Sequence, residues 1–377
     1  MAAMTAFDSD VYRSRRERAA RLVQAQGLGG LVIGTGAEFA YLTGSWATSH
    51  ERLTALVITP GATAIVAPVT DAQSLGFKDG ADTGNTGDIE VTGWRDGENP
   101  YQLVADRLDS GSVGLGSSLT ADHVFALQEL LPATTLATGA VAELFMVKDD
   151  HERAQLERAG AAIDRVHERA AELLQPGRTE REVAEELHGL ILDEHETVEF
   201  VIVGSGPNGS NPHHDHSDRV LAVGDPVVVD LGGALPSGYQ SDCTRTHVVG
   251  DPAQAPQEFL QAYSVLEDAF NAACDAARPG ITAGELDTAA RNVIERAGYG
   301  EYFTHRLGHG IGLSGHEQPF IIAGSDVVLR ENMVFSIEPG IYKPGQWGMR
   351  IEDIVRLTAD GVVALNRTPR TLGGGNG

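Results

Sequence analysis

Cysteines, basic residues and long apolar runs are all scarce in this 377-residue sequence. The two cysteines, Cys243 and Cys274, form neither a Cys-x-x-Cys pair nor a zinc-site spacing, which is typical of a reducing compartment. No run approaches the roughly 18 apolar residues of a transmembrane helix. With 53 acidic and 28 basic residues the formal net charge is −25, and such a chain offers no basic surface for phosphates. We therefore expect no membrane span and no nucleic acid partner.

The N-terminal segment also lacks the apolar stretch of a signal peptide. Its sequence, MAAMTAFDSDVYRSRRERAARL, places acids and arginines at those positions. Export is therefore not expected, and the sequence indicates a cytoplasmic protein. The apolar content of 42% is sufficient for a substantial core, and the length suggests two or three domains.

Residues 1–145 alternate between helical and strand patterns, which predicts an N-terminal α/β domain. Catalytic residue types do not cluster in this region, so we expect any part it plays in catalysis to be indirect. The predicted helices cover about 8–26, 99–109 and 121–131, and the predicted strands cover about 30–34, 54–59, 63–67 and 112–116.

Residues 146–377 contain a degenerate repeat. A predicted helix over about 150–174 is followed by Pro-Gly-x-Thr-x-x-Glu, and the same pattern follows a predicted helix over about 256–277, offset by 103 residues. Each Thr-x-x-Glu has the spacing of a capping box at a helix start. Two copies this divergent favour one pseudo-symmetric domain over a solenoid. Two facing halves would bring residues of both copies to a central cleft.

Five polar side chains in this second region lie within or at the ends of apolar, β-branched runs. They are Asp230 in VVVDLGG, Asp242 in QSDCTRT, His309 in LGHGIGL, Glu338 in FSIEPGIY and Glu352 in MRIEDIV. Carboxylates buried without a compensating cation are costly. Oxygen-rich ligation with one imidazole suits Mn²⁺, Co²⁺, Fe²⁺ or Zn²⁺, and four carboxylates carry enough charge for two such ions about 3.5 Å apart.

The spacing of the acids predicts two hairpins. Twelve residues separate Asp230 from Asp242, and fourteen separate Glu338 from Glu352. A connection of that length returns the second strand beside the first, so we expect the acids of each pair to be cross-strand neighbours. Cys243, next to Asp242, should point away from the acids into the core.

The order Asp, Asp, His, Glu, Glu with these flanking residues resembles the pita-bread metallopeptidases, which include methionine aminopeptidase, aminopeptidase P and prolidase. The layout of the whole chain is similar to the proline-specific branch, Xaa-Pro dipeptidase and aminopeptidase P. The resemblance implies an α+β fold, in which a C-terminal pita-bread domain (residues 146–377) with internal pseudo-symmetry follows a smaller N-terminal α/β creatinase-like domain (residues 1–145).

The resemblance also implies two divalent metal ions, with Mn²⁺ expected first and Co²⁺, Zn²⁺ or Fe²⁺ as alternatives. Asp230 would bind one ion, His309 and Glu338 the other, and Asp242 and Glu352 would bridge both. A hydroxide between the ions would attack the peptide carbonyl, with Glu338 as the proton acceptor.

Four further residues match positions with a role in the family. His213, in NPHHDH, and His316, in HEQP, would stabilise charge on the carbonyl oxygen. Arg350 would orient the site, and Thr244 would support a metal ligand. The neighbouring His214 and His216 are expected at the surface or at the edge of the substrate site.

The implied substrates are short peptides with proline at the second position, cleaved by a homodimer. One departure leaves the substrate open: Phe320 stands where strict dipeptidases of the family commonly carry an arginine for the substrate carboxylate. Dipeptidase activity and aminopeptidase P activity therefore both remain open as alternatives. The other readings are a methionine aminopeptidase, a metal-free creatinase-like hydrolase and a non-catalytic binding module.

Overall fold

Two units, Met1–Phe145 and Met146–Gly377, make up the chain in the computed structural model. The structure describes residues 7–49, 51–72, 75 and 89–372. Within those residues, none of the helices has the length and apolar character needed to cross a lipid bilayer.

A six-stranded mixed sheet forms the centre of the first unit, in the order β4-β3-β2-β1-β5-β6. The strands are β1 (Leu28–Gly34), β2 (Ala55–Ile58), β3 (Thr63–Pro68), β4 (Glu90–Trp94), β5 (Ser112–Leu115) and β6 (Thr134–Leu136). The helices are α1 (Ser9–Ala25), α2 (Ala37–Thr43), α3 (Val69–Ala72), α4 (Pro100–Ala105), α5 (Ala121–Gln128) and α6 (Thr138–Met146). Val32, Val57, Val66 and Val113 are among the side chains of its core.

The α/β character expected for this region is confirmed, although the sequence pattern missed several elements. The strands β4 and β6 and the helices α2, α3 and α6 were not expected, and α4 is shorter than predicted. These elements have three to nine residues. Runs that short span too few periods for an apolar pattern to be recognised.

The second unit combines four long helices with three antiparallel sheets, β7-β8-β9, β13-β14 and β11-β10-β12-β15-β16. The helices are α7 (Asp150–Leu173), α8 (Glu180–Glu194), α9 (Gln257–Ala276) and α10 (Ala283–Arg296). The strands are β7 (Thr197–Ser205), β8 (Pro226–Ala234), β9 (Cys243–Val248), β10 (Gly308–Gly310), β11 (Glu317–Ile321), β12 (Val334–Ile337), β13 (Gly340–Lys343), β14 (Trp347–Arg350), β15 (Asp353–Thr358) and β16 (Gly361–Ala364).

The internal repeat is visible in the hydrogen bonds of the two halves. Both predicted capping boxes form, with Thr179 at the start of α8 and Thr282 at the start of α10. In the preceding turns Gly177 (φ 92°) and Gly280 (φ 99°) adopt a left-handed conformation suited to glycine. Each donates its N–H to the carbonyl of a leucine, at 2.9 Å in both halves. The sequence repeat is therefore a repeat of structure.

The second pair of acids lies where one long hairpin is interrupted. The strand pairs β12–β15 and β13–β14 share a single register, in which Ile337 faces Asp353 and Gly340 faces Arg350. Extending that register places Glu338 directly opposite Glu352, as the spacing predicted.

The first pair is not directly opposite, and here the prediction was wrong. In the ladder between β8 and β9, Asp230 pairs with Thr244 and Leu231 with Cys243, so Asp242 is displaced by two residues from the partner of Asp230. Because side chains alternate with a period of two, the displaced acid still lies on the same face, as a diagonal neighbour.

Each half has its own apolar core, and β9 joins the two. α7, α8 and β7–β9 contribute Leu187, Val229 and Cys243 to one core, and α9, α10, β12 and β15 contribute Phe259, Leu286 and Phe335 to the other. The core position of Cys243 agrees with the prediction for it. Main-chain and threonine hydrogen bonds connect β9 to the segment 350–352, which brings the acids of both halves together.

Candidate metal centre

Of the nine residues predicted for the site, all but Thr244 line one cavity of about 900 Å³ in the second unit. They come from six places in the chain: the loop after β7, β8, the residue before β9, β10 and the loop after it, the end of β12, and the end of β14 with the residues after it. The eight residues are His213, Asp230, Asp242, His309, His316, Glu338, Arg350 and Glu352.

Three overlapping groups of side chains have the geometry for metal ligation. Within each group, one ligand atom per residue lies within 4.8 Å of the others. The groups are Asp230–Asp242–Glu352, His309–Glu338–Glu352 and Asp242–His309–His316. Asp242, His309 and Glu352 each belong to two of the groups. Of these three, the carboxylates of Asp242 and Glu352 have two oxygens each and so can serve two adjacent ions.

Two oxygens of this cluster are buried without a hydrogen-bond partner. Among the described residues, nothing donates to Oδ1 of Asp230 or to Oε1 of Glu352. A buried carboxylate oxygen with no donor is destabilising unless a cation binds it. The donor set of carboxylates and imidazole therefore fits divalent ions.

His309 is oriented toward the acids by its neighbours on β10. Its Nδ1 lies 3.1 Å from the carbonyl oxygen of Gly310 and therefore carries a proton, so Nε2 is the nitrogen that can bind a metal once its own proton is lost. Nε2 lies 3.1 Å from Oε1 of Glu338 and 3.7 Å from Oδ2 of Asp242. The flanking glycines are required: a Cβ at Gly308 would lie 2.0 Å from the carbonyl oxygen of Ser336.

Arg350 and Thr244 fix the positions of two carboxylates by hydrogen bonds. Arg350 donates to Asp230 through Nη2, to the Thr244 hydroxyl at 2.9 Å and to the Tyr342 hydroxyl at 2.6 Å. Thr244 in turn donates to Oε2 of Glu352 at 2.8 Å. One arginine and one threonine thus orient a carboxylate from each half.

The negative charges of the four carboxylates in the cluster repel one another. Burial, together with the charge of Asp230, raises the pKa of Asp242 well above its ordinary value, and burial together with the charge of Asp242 does the same for Glu352. Glu338 behaves differently: burial acts to raise its pKa, but the hydrogen bond and charge of His309 outweigh this effect and lower the pKa to about 2. Cations are therefore needed to keep all the acids ionised at neutral pH.

A buried glutamate that was not predicted organises the loop carrying His213. Glu180, the first residue of α8, is fully buried and accepts hydrogen bonds from Ser205, Asn208, Ser217 and His214. His214 is therefore a partner of Glu180, where the sequence had suggested only a surface or edge position. His213, next to it, is exposed to the cavity.

His316 packs directly against His309 within the cavity. The two rings meet edge to face, with their centroids 4.1 Å apart. Burial, together with the positive charge of His309, lowers the pKa of His316 to about 4, so its ring is neutral at pH 7. The next residue, Glu317, forms an ion pair with the buried Lys148, which anchors the loop.

Three kinds of lining residue escaped the sequence interpretation. His305 contacts the Tyr342 hydroxyl at 3.1 Å. Arg306 lies on the same segment, and Val198, Phe200 and Ile202 of β7 form an apolar wall. His305 and Arg306 directly precede the LGHG motif, and that proximity was the available signal. Nothing in the alternation of β7 indicates that its outer face borders a cavity.

Comparisons with known proteins match each of the two units to a family model. The sequence model of the metallopeptidase family M24 matches residues 154–359, and that of the creatinase/prolidase N-terminal domain matches residues 15–147.

Individual relatives cover almost the full length. The chain is 48% identical to the probable dipeptidase PepE of Mycobacterium tuberculosis over 371 residues, covering 97% of each sequence. It is 36% identical to the Xaa-Pro dipeptidase of Lactobacillus helveticus, covering 88% of this chain and 91% of the relative. The crystal structure of dipeptidase PepE from Mycobacterium ulcerans superimposes with a TM-score of 0.91 at 46% identity, covering 97% of this chain and 98% of the other.

Proposed function

Because this chain belongs to the metallopeptidase family M24, we propose that it is a dinuclear-metal Xaa-Pro dipeptidase. The resemblance inferred from the sequence and the fold expected from it are thereby confirmed, whereas the substrate and the number of metal ions are the subject of the proposal. The observation that carries it is the overlap of the three ligand groups at Asp242 and Glu352.

In the proposed centre, Asp230, Asp242 and Glu352 would hold one ion, and His309, Glu338, Asp242 and Glu352 would hold the other. The donor set of oxygens with one imidazole favours Mn²⁺, with Co²⁺, Zn²⁺ and Fe²⁺ as chemically reasonable substitutes. When bound, two such ions polarise a carbonyl and bring the pKa of coordinated water toward neutrality.

The protein's own groups then manage protons and orientation. Glu338 is ionised at neutral pH and accepts the proton of the attacking water, which it passes to the leaving nitrogen. His316, neutral at pH 7, donates an N–H to the carbonyl oxygen as negative charge develops there, and His213 assists from the opposite loop. Arg350 acts indirectly, because its donors hold Asp230 and Thr244 in place.

The shape of the cavity supports a small, partly apolar substrate. Its volume of about 900 Å³ is in the range of small-molecule sites. The β7 wall of Val198, Phe200 and Ile202 offers an apolar surface for a proline ring, which has no N–H to satisfy. The names of the two curated relatives, a probable dipeptidase and an Xaa-Pro dipeptidase, support the dipeptidase reading over aminopeptidase P. The homodimer and the cytoplasmic location implied by the resemblance stay predictions.

Hydrolysis of matched peptides tests the proposal. Protein stripped of metal with a chelator and reloaded with Mn²⁺ is assayed on Ala-Pro, Ala-Pro-Ala, Ala-Ala and Met-Ala, with metal content measured in parallel. We expect two ions per chain and metal-dependent turnover of Ala-Pro. Preference for Ala-Pro-Ala would instead indicate aminopeptidase P, and turnover of Met-Ala a methionine aminopeptidase. A protein that binds no metal and cleaves none of the peptides would be a binding module.

A further inference from the structure

Arg306 is a cation in the cavity that forms no ion pair with any carboxylate of the described residues. It lies three residues before His309, lines the same cavity, and is half-buried. Its guanidinium carbon sits 4.4 Å from the centroid of the Phe320 ring. Among the residues that the structure describes, no hydrogen bond or ion pair engages the Arg306 guanidinium.

The other arginine of the cavity is in the opposite situation. Arg350 directs its donors to Asp230, Thr244, Tyr342 and the carbonyl oxygen of Pro212, and is almost fully buried. The N–H groups of its guanidinium are therefore already occupied by hydrogen bonds to other residues of the protein. Arg306 is thus the cavity arginine whose N–H groups remain available to a ligand.

The stacking on Phe320 explains how Arg306 is held ready. A guanidinium that lies over an aromatic ring uses its face, so the five N–H groups around its edge stay free for bidentate contacts. Phe320 is itself fixed, because it pairs with His309 across the ladder between β10 and β11. Burial lowers the pKa of Arg306 while the charge of Glu338 raises it, but a guanidinium remains charged at neutral pH.

We infer that Arg306, stacked on Phe320, binds the C-terminal carboxylate of the substrate and selects dipeptides over longer chains. The inference rests on the proposed function and names the group that sets substrate length. In a dipeptide the free carboxylate is one residue from the scissile bond, so it must enter a cavity that already contains the four acids of the metal cluster. The charge of Arg306 acts on both Glu338 and His316, which places it close enough to the reacting groups for that role. An amide or a longer peptide presents no anion at this point.

A comparison of Ala-Pro with Ala-Pro-amide tests the inference, with the Mn²⁺-loaded enzyme and its Arg306→Met, Arg306→Lys and Phe320→Leu variants. Arg306→Met should raise KM for Ala-Pro about 10- to 100-fold, with a smaller effect on kcat, so that the preference for acid over amide collapses. Lysine keeps the charge but loses the bidentate fork, and leucine removes the stacking surface, so both should give intermediate preferences. Arg169→Met, an exposed arginine on α7, is the matched control.

The outcomes separate this inference from the function on which it rests. If the wild-type enzyme cleaves Ala-Pro and Arg306→Met keeps the wild-type ratio of acid to amide turnover, Arg306 does not bind the carboxylate and the inference fails alone. If the wild-type enzyme cleaves no Xaa-Pro substrate, the proposed function fails and takes the inference with it. Circular dichroism and metal content of each variant establish that the folded, loaded enzyme is being compared.

Discussion

Glu338 experiences opposing influences on a single carboxyl group. Burial disfavours its charge, while His309 at 3.1 Å and the Ser336 hydroxyl at 3.0 Å stabilise it. The balance leaves a carboxylate that is ionised throughout the physiological range. Such a group can accept a proton from water and return it to a leaving nitrogen within one catalytic cycle.

Replacing Glu338 by glutamine therefore separates charge from shape. The amide is isosteric but cannot accept a proton, so we expect kcat for Ala-Pro to fall about 100- to 10,000-fold. The measurement is a steady-state assay with Mn²⁺ in excess, since the variant also loses a metal ligand. Glu199→Gln, at an exposed position of the cavity rim, should retain activity. Wild-type turnover by Glu338→Gln would contradict its role as proton acceptor.

For individual residues, the sequence was a better guide to the acids of the site than to the residues that form hydrogen bonds around them. The acids could be found because a charged residue inside an apolar run is conspicuous. The same criterion cannot detect Tyr342 or His305, which are unremarkable in their local context and acquire a role only through contacts with Arg350 and with each other. Glu180 carries no local signal either, because its burial depends on a loop that closes over it.

Among the elements, the loop between β7 and β8 depends on that one glutamate. Glu180 accepts from the N–H and hydroxyl of Ser205 at 2.7 and 2.6 Å, and from the N–H and hydroxyl of Ser217 at 3.1 and 2.6 Å. These bonds lower the pKa of Glu180 even though burial acts to raise it. Both ends of the segment that presents His213 are thereby attached to the first turn of α8.

Glu180→Gln should loosen this loop without changing its size. The amide group offers one acceptor and introduces two donors among groups that are themselves donors, so we expect a loss of about 2–3 kcal/mol of unfolding free energy. Displacement of His213 should also lower kcat/KM about 10- to 100-fold. Urea unfolding and peptide hydrolysis measure the two effects. Glu185→Gln, exposed on the same helix, is the control, and equal behaviour of the two variants would refute the structural role of Glu180.

The hairpins show why element-level prediction succeeded only in part. The number of residues between the acids of each pair identified both hairpins. The strand register of each hairpin depends on contacts that this number does not encode. For Glu338 and Glu352 the long hairpin keeps one register through its interruption. For Asp230 and Asp242 the loop after Ala234 shifts the return by two residues. A shift of two preserves the face, so the error left the site intact.

For the whole molecule, the metal centre is also the junction of the two halves of the second unit. Asp230 and Asp242 belong to the first half, His309, Glu338 and Glu352 to the second, and the ions would bind both. In the absence of ions, the like charges of the acids repel one another, as the raised pKa values of Asp242 and Glu352 indicate. The centre is thus expected to oppose folding when empty and to favour it when loaded.

This contrast predicts a reversal in the order of stability. Each of two ions at a hundredfold excess over its Kd should add about 2.7 kcal/mol, so together they should raise the wild-type Tm on the order of 10–20 °C. Asp242→Asn removes one of the repelling charges, and its amide can donate to a neighbouring carboxylate. Its metal-free Tm should therefore exceed that of the metal-free wild type, while its Tm with Mn²⁺ should lie below that of the loaded wild type.

Calorimetry of both proteins, with chelator and with Mn²⁺, measures all four values. Asp193→Asn, at an exposed position of α8 outside the cavity lining, should track the wild type in both conditions, because it removes the same charge without changing the metal-binding acids. If Asp242→Asn were less stable than the wild type in both conditions, the empty cluster would not be under electrostatic strain. A cation would then be unnecessary for folding the second unit, and the buried acids would give no energetic reason to expect bound metal.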